Sequence, residues 1–319
     1  VSSPIVGNLL GIRGLNREQI LTFLDTADTF REVSEREIKK VPTLRGRTVV
    51  NLFLEASTRT RTSFEIAAKR LSADAVNIGA KDSSVSKGES LLDTAYTIQA
   101  MNPEILVIRH AESGAPHFLA KYLKNTAIIN AGDGLHEHPT QALLDALTIR
   151  QALGRIDKLK IVFIGDMLRG RVARSNIYLH RALGNTIRAV APPALVPKEL
   201  ENMGVEVYYN LEEAIKDADV IYSLRLKFEY QADAYFPNTD EYTKQFLIKE
   251  NDLARLAPQS IVLAPGPFYR GIDMTSEIID GPRSQISKQV TNGVAVRMAA
   301  IYLLATQNQV ERDSGGADE

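Results

Sequence analysis

The chain has 319 residues, 44% hydrophobic and 24% charged, with a net charge of −1 and no cysteine. That length suggests two domains, with apolar material enough for two cores. The near-neutral balance excludes a global field for nucleic acid or an anionic membrane, and the lack of cysteine excludes disulfides and thiolate metal sites.

The opening VSSPIVGNLLGIRGL lacks a basic region followed by a long apolar run, so it does not read as a signal peptide. No apolar run approaches a membrane span. A cytoplasmic protein is the expectation. The spacing predicts a first helix from Arg17 to about Arg36, capped by Asn16 with Gln19 reaching back, and with Ile20, Phe23, Leu24, Ala27 and Phe30 as its buried stripe. Thr48–Glu55 reads as a strand. It feeds a helix from about Thr58, with Ser57 where an N-cap belongs. Ser83–Thr94 is a polar loop leading into a helix.

Strand, turn and helix then recur. EILVIRH and TAIINAGDG are strands, and Pro139–Leu153 is a helix closed by Gly154. KIVFIGD is a strand, and Val172–Leu183 a helix closed by Gly184. TIRAVAP, DVIYSLR and SIVLAPGP are further strands, with a short helix at Leu211–Lys216. Val290–Gln307 is apolar almost all round and reads as a buried helix. The polar end, residues 310–319, reads as a disordered tail. Apolar strands alternating with helices mean parallel sheets covered on both faces, here enough for two α/β domains.

In open parallel sheets the ligand crevice lies beyond the carboxyl ends of the strands. Ser57–Arg61, Arg109, the Gly132–Gln141 loop, Asp166–Arg171, Arg225 and Pro265–Arg270 all follow strands directly. In the first of these, Arg59 and Arg61 lie in the first turn of a helix, where the dipole already supplies positive charge. An anion bound at the free N–H groups, flanked by the hydroxyls of Ser57, Thr58 and Thr60, would make Arg59 favourable. Arg61 reads more simply as paired with Glu65 one turn on. The GxxxxGK[ST] pattern is absent, and no GxGxxG follows the strand ending at Asp166. His138 precedes a proline, so it is held extended at a helix mouth, with Gln141 one turn in. It suits a donor to a developing oxyanion. Taken alone it reads better as a structural cap. A metal reading would use His136 and His138, but no third ligand has convincing spacing, so no metal is expected.

Together STRTRTSFE, SSVSKGESLLDT, VIRH, NAGDGLHEHPTQALLDA and GDxxxxRVARSN, in this order, resemble the aspartate and ornithine carbamoyltransferase superfamily over nearly the whole chain. SSVSKGESLLDT points to the aspartate branch. The resemblance implies two parallel-sheet α/β domains. Residues 1–139 would bind carbamoyl phosphate, residues 140–289 the amino acid, and the C-terminal helix 290–307 would return to the first domain. It implies transfer of the carbamoyl group to the amine of L-aspartate, giving N-carbamoyl-L-aspartate and phosphate, a step of pyrimidine biosynthesis, with no cofactor. Ser57, Thr58, Arg59, Thr60, Arg109, His138 and Gln141 would hold carbamoyl phosphate. Thr60, Arg109 and His138 would polarise its carbonyl, and Arg59 would stabilise the departing phosphate. Ser83 and Lys87 would reach into a neighbour's site within a homotrimer. Arg171, Arg225, Lys87 and Lys227 would meet the carboxylates of aspartate. Regulatory or dihydroorotase-like partner chains occur among relatives, and nothing here selects one.

The departures cluster on the acceptor side. The family's LRxQxER reads LRLKFEY, with Lys227 for glutamine and Tyr230 for arginine. Its HPGPxNRGVE reads APGPFYRGID, with Ala264 for histidine and Tyr269 for asparagine, and Leu168, Arg169 and Gly170 precede Arg171. A different amine acceptor, or a non-catalytic homologue serving as a structural subunit, are the competing readings. A glutamine replaced by lysine adds a point charge and removes an acceptor.

Overall fold

The computed structural model describes residues 7–80, 88–226 and 238–315, with side chains described up to residue 307. The chain divides into two compact units, Val1–Leu147 with Thr291–Glu319, and Thr148–Val290.

In the first unit, α1 (Arg17–Glu35) opens with the Asn16–Gln19 capping box and buries Ile20, Phe23, Leu24, Ala27, Phe30 and Val33. Four strands follow: β1 (Thr48–Phe53), β2 (Asp74–Gly79), β3 (Ile105–His110) and β4 (Ala127–Asp133). They form a parallel sheet of order β2-β1-β3-β4. The helix α2 (Thr58–Arg70) crosses from β1 to β2, and α3 (Leu91–Ala100) and α4 (Ala115–Ala120) precede β3 and β4. The core side of α2 is Thr60, Ser63, Phe64, Ala67 and Ala68. β1 has neighbours on both sides and is buried from Val49 to Phe53. β2 is an edge strand with three exposed residues, so its sequence carries no apolar run. β3 and β4 lose register between Ile108 and His110, where β4 carries one extra residue.

α5 (Pro139–Leu153) contains the first boundary between the units. The second unit holds β5 (Lys160–Gly165), α6 (Arg171–Ala182), β6 (Thr186–Val190), β7 (Val205–Tyr208), α7 (Leu211–Ile215) and β8 (Val220–Leu224). It continues with α8 (Thr239–Phe246), α9 (Glu250–Leu256), β9 (Ile261–Leu263) and α10 (Ser276–Asp280). The five strands are parallel in the order β7-β6-β5-β8-β9. Gly165 closes β5 at φ +118°, and a Cβ there would lie 2.2 Å from the Leu224 carbonyl oxygen, so this position requires glycine.

The last helix, α11 (Ile286–Gly315), contains the second boundary and is longer than the sequence expectation at both ends. It takes in the first part of the stretch expected as a disordered tail, where Glu311 and Arg312 continue a helix at little cost. Residues 316–319 lie outside the described residues. Tyr302 of α11 meets Phe30 of α1 edge-on, ring centroids 5.5 Å apart, so α11 packs in the first unit. Among the described residues no helix is long and apolar enough to cross a membrane.

Candidate functional site

Each sheet has one point where successive connections run to opposite sides. In the first it lies between β1 and β3, in the second between β5 and β8. Ligands bind parallel sheets beyond the strand ends at such points. The residues that follow those strands are Ser57–Thr60 and Arg109 in one unit, and Asp166–Arg171 and Arg225 in the other.

At the first point, Ser57 is the N-cap of α2 but makes no side-chain capping bond, and the first turn holds no acidic residue. A helix start with neither a side-chain cap nor an acidic residue suits an anionic ligand. Thr58 and Arg59 are exposed, while Thr60 is buried. Arg61 does not take Glu65: that carboxylate pairs with Lys69 at 2.5 Å and is held below its usual range chiefly by that bond.

Arg109 is the last but one residue of β3 and is 8% exposed. Its guanidinium donates to Glu55 Oε1 at 2.7 Å and to the Ala131 carbonyl at 3.1 Å. Ala131 belongs to the segment of β4 where the register slips, so the bulge supplies the oxygen that orients the arginine. His138 is buried, and its carbonyl accepts from the N–H groups of Gln141 and Ala142, at 3.0 and 3.3 Å, making it the N-cap residue of α5. Gln141 donates its amide to Asp145 Oδ1 at 2.9 Å.

The loop before His138 is tied from beneath. Asp133 is fully buried. Its Oδ1 accepts from Asn130 Nδ2 at 2.8 Å and from the Glu137 N–H at 3.1 Å. Glu137 accepts from the Ile12 N–H at 2.7 Å. His136 does not join His138. It turns to Asp133, Nδ1 to Oδ2 at 3.0 Å, and to the ring of His117.

One functional candidate escaped the sequence reading. Arg297 of α11 is 4% exposed, donates to Ser63 Oγ at 2.8 Å and lies 5.1 Å from the Phe64 ring centroid, beneath α2. Burial draws its pKa down to about 9, and the charges of Arg109 and Arg59 push the same way. The signal was available: it is the one cation inside the apolar run GVAVRMAAIYLLA.

At the second point, Asp166 is buried and accepts from Arg169 twice, backbone N–H at 3.0 Å and guanidinium at 2.9 Å. Arg171 is the first residue of α6, half-buried, with no acidic residue in that turn. Arg225 follows β8. Its guanidinium donates to Tyr269 Oη at 3.1 Å and lies 5.7 Å from that ring's centroid. Beside it, buried Asp273 accepts from the N–H groups of Tyr269 at 2.6 Å and Leu226 at 3.3 Å. Burial pushes its pKa up to about 6. Ala264 is buried, its N–H donating to Gln289 Oε1 at 3.0 Å. Ser83, Lys87 and Lys227 lie outside the described residues.

The start of α2 with the fixed Arg109 in one unit, and Arg171 and Arg225 in the other, each suit an anionic ligand. The family model described as aspartate/ornithine carbamoyltransferase, carbamoyl-P binding domain, matches residues 8–151, and that for the Asp/Orn binding domain matches residues 157–304. The chain belongs to the aspartate/ornithine carbamoyltransferase family. It is 52% identical over 297 residues to the aspartate carbamoyltransferase catalytic subunit of Frankia casuarinae, covering 93% of each chain. To that of Syntrophus aciditrophicus it is 51% identical, covering 93% of this chain and 96% of the relative. Among solved structures, aspartate transcarbamoylase from Trypanosoma cruzi in complex with carbamoyl phosphate and aspartate matches with a TM-score of 0.83 at 28% identity, over 95% of this chain and 96% of that one. The catalytic subunit of M. Jannaschii aspartate transcarbamoylase matches with a TM-score of 0.81 at 33% identity, over 97% of this chain and all of the other.

Proposed function

We propose that the chain transfers the carbamoyl group of carbamoyl phosphate to the amine of L-aspartate, yielding N-carbamoyl-L-aspartate and phosphate for pyrimidine biosynthesis. The observation that carries the donor is the α2 start, which lacks both a side-chain cap and an acidic residue, together with Arg109 held by Glu55 and Ala131. The acceptor is carried by relatives at about half identity that are named for aspartate.

The amine lone pair attacks the carbamoyl carbon, and the carbonyl electrons move onto oxygen. The C–O bond to phosphate then breaks, and the amine loses a proton. No side-chain nucleophile is needed. Thr60, Arg109 and His138 stabilise the developing oxyanion, and Arg59 with the α2 N–H groups takes the leaving phosphate. Gln141, its amide group committed to Asp145, presents its carbonyl oxygen to the carbamoyl amide. Arg171, Arg225, Lys87 and Lys227 meet the aspartate carboxylates. Fixing both substrates supplies much of the rate.

The same proposal includes a homotrimer in the cytoplasm, Ser83 and Lys87 being lent to a neighbouring site. Mixing Lys87→Ala with Arg109→Ala chains, each inactive, then restores activity in hybrid trimers. No recovery after subunit exchange would refute the sharing.

A second reading, a different amine, is favoured by one observation: Arg225 is engaged with Tyr269, a residue foreign to the family pattern. Carbamoyl-phosphate-dependent product formation with aspartate, ornithine and a panel of amines decides between the two. Turnover with aspartate supports the first reading. Phosphate release with another amine alone supports the second.

A further inference from the structure

We propose that His117, Asp133 and His136 form a binding site for a borderline transition-metal ion, Zn²⁺ above all, that ties α4 to the loop leading into His138. Three separate parts of the chain converge there: α4, the end of β4 and the loop beyond it. One ligand atom from each residue lies within 4.8 Å of the other two.

His136 Nδ1 and Asp133 Oδ2 are 3.0 Å apart, a separation that suits neighbouring ligands about 2.0–2.1 Å from one Zn²⁺. The ion takes the place of the proton between them. On a neutral ring that proton moves to His136 Nε2, and on an imidazolium it leaves for solvent; two nitrogen lone pairs and a carboxylate lone pair are donated, and nothing is oxidised or reduced.

His117 supplies the independent observation. Its Nδ1 is buried and has no hydrogen-bond partner among the described residues. A nitrogen withdrawn from water and left without a partner is costly unless something else fills its lone pair or takes its proton. Its ring meets that of His136 edge-on, centroids 5.1 Å apart.

The supporting contacts of a metal site are already in place. The Asp133 carboxylate is oriented by N–H donors from Gly114 at 2.7 Å and Glu137 at 3.1 Å, and by Asn130 Nδ2 at 2.8 Å. His117 and His136 are only half-buried, which leaves an entry path and room for a water as fourth ligand. Two imidazoles and one carboxylate suit Zn²⁺, Co²⁺ or Ni²⁺, and not the all-oxygen preference of Mg²⁺ and Ca²⁺. The role is structural. The ion would hold the loop whose next residues, Glu137 and His138, reach the candidate site, and it needs no part in the chemistry.

The test uses the full chain, freed of any histidine tag and stripped with chelator, titrated with ZnCl₂ by calorimetry and with CoCl₂ by visible absorption. One equivalent of Zn²⁺ is expected, with a rise in Tm on the order of 5 °C at a hundredfold excess over Kd. His117→Ala and His136→Gln should each weaken binding at least tenfold. His110→Gln, outside the cluster, should not. Circular dichroism confirms that each variant is folded, and the more conservative His136→Gln serves if His117→Ala is not. No binding up to 1 mM, or binding that survives both substitutions, would overturn the site. The result is independent of the amine the enzyme uses.

Discussion

The two units solve one problem with the same topology and different chemistry. Each presents arginine where successive connections of a parallel sheet part. On the donor side the supports run from distant parts of the chain. Arg109 is gripped by Glu55 and by a bulge carbonyl, α2 rests on Arg297, and the His138 loop hangs from Asp133 and Glu137. On the acceptor side Arg225 leans on Tyr269, and buried Asp273 catches the backbone of both segments. The unit whose sequence keeps the family pattern is the one in which Arg109 and the His138 loop have such supports. The unit that departs from it has its recognition residues on exchangeable contacts. Scaffolded positions resist substitution, because removing one partner strands another buried polar group.

The sharpest way to break this comparison is Arg109→Ala. Losing a fixed guanidinium at a developing oxyanion should lower kcat by about 10³-fold, measured by carbamoyl transfer under saturating substrates. A loss below tenfold would mean that Arg109 is scaffold only.

Next in size is a pH effect on the acceptor side. An acid whose folded pKa is raised binds its proton more tightly when folded. The stability that Asp273 contributes is therefore fully present below its unfolded value near 4 and is lost as pH rises through about 6. Between pH 4 and 7 the stability of the protein relative to Asp273→Asn should fall by up to about 3 kcal/mol, read from urea unfolding at each pH. A gap that widens over this range would contradict it.

Arg171→Ala comes third. A charge-assisted bond to a carboxylate is worth about 1.5–3 kcal/mol, so KM for aspartate should rise on the order of 10- to 100-fold. The Kd of carbamoyl phosphate, from calorimetry, should stay within about twofold. Equal losses of both would erase the division of labour between the units.

The same contrast explains what could be read in the sequence. β1, β3, β4, β5, β6, β8 and β9 announce themselves because buried strands need continuous apolar residues, as in Ile105–Ile108. Of the edge strands, β4 and β9 are buried throughout, whereas β2 and β7 carry exposed positions where Asp74, Asn77 and Glu206 are tolerated, so their sequences do not announce them. At the candidate site, hydroxyls and arginines at a helix start were legible as a local pattern. Their supports were not. Glu55 lies 54 residues from Arg109, and Ser63 lies 234 from Arg297. Nothing local marks such pairs, except that a lone arginine in an apolar helix demands a partner. His136 shows the converse: its sequence neighbour His138 suggested a shared role, and the fold gave it His117 instead.

The smallest effect bears on the least anchored contact. Tyr269 touches Arg225 in two ways, by its hydroxyl at 3.1 Å and by its ring at 5.7 Å. Tyr269→Phe removes only the first. A hydrogen bond of this kind contributes about 1 kcal/mol net, and the ring contact remains. If the hydroxyl holds the guanidinium ready for a carboxylate, its loss frees the long side chain, and KM for aspartate should rise roughly threefold with kcat unchanged. If instead the hydroxyl competes with the acceptor for the same guanidinium, KM should fall. That outcome would make Tyr269 a residue selected for a different amine, and the same assay repeated across the amine panel would show which one gains from its presence.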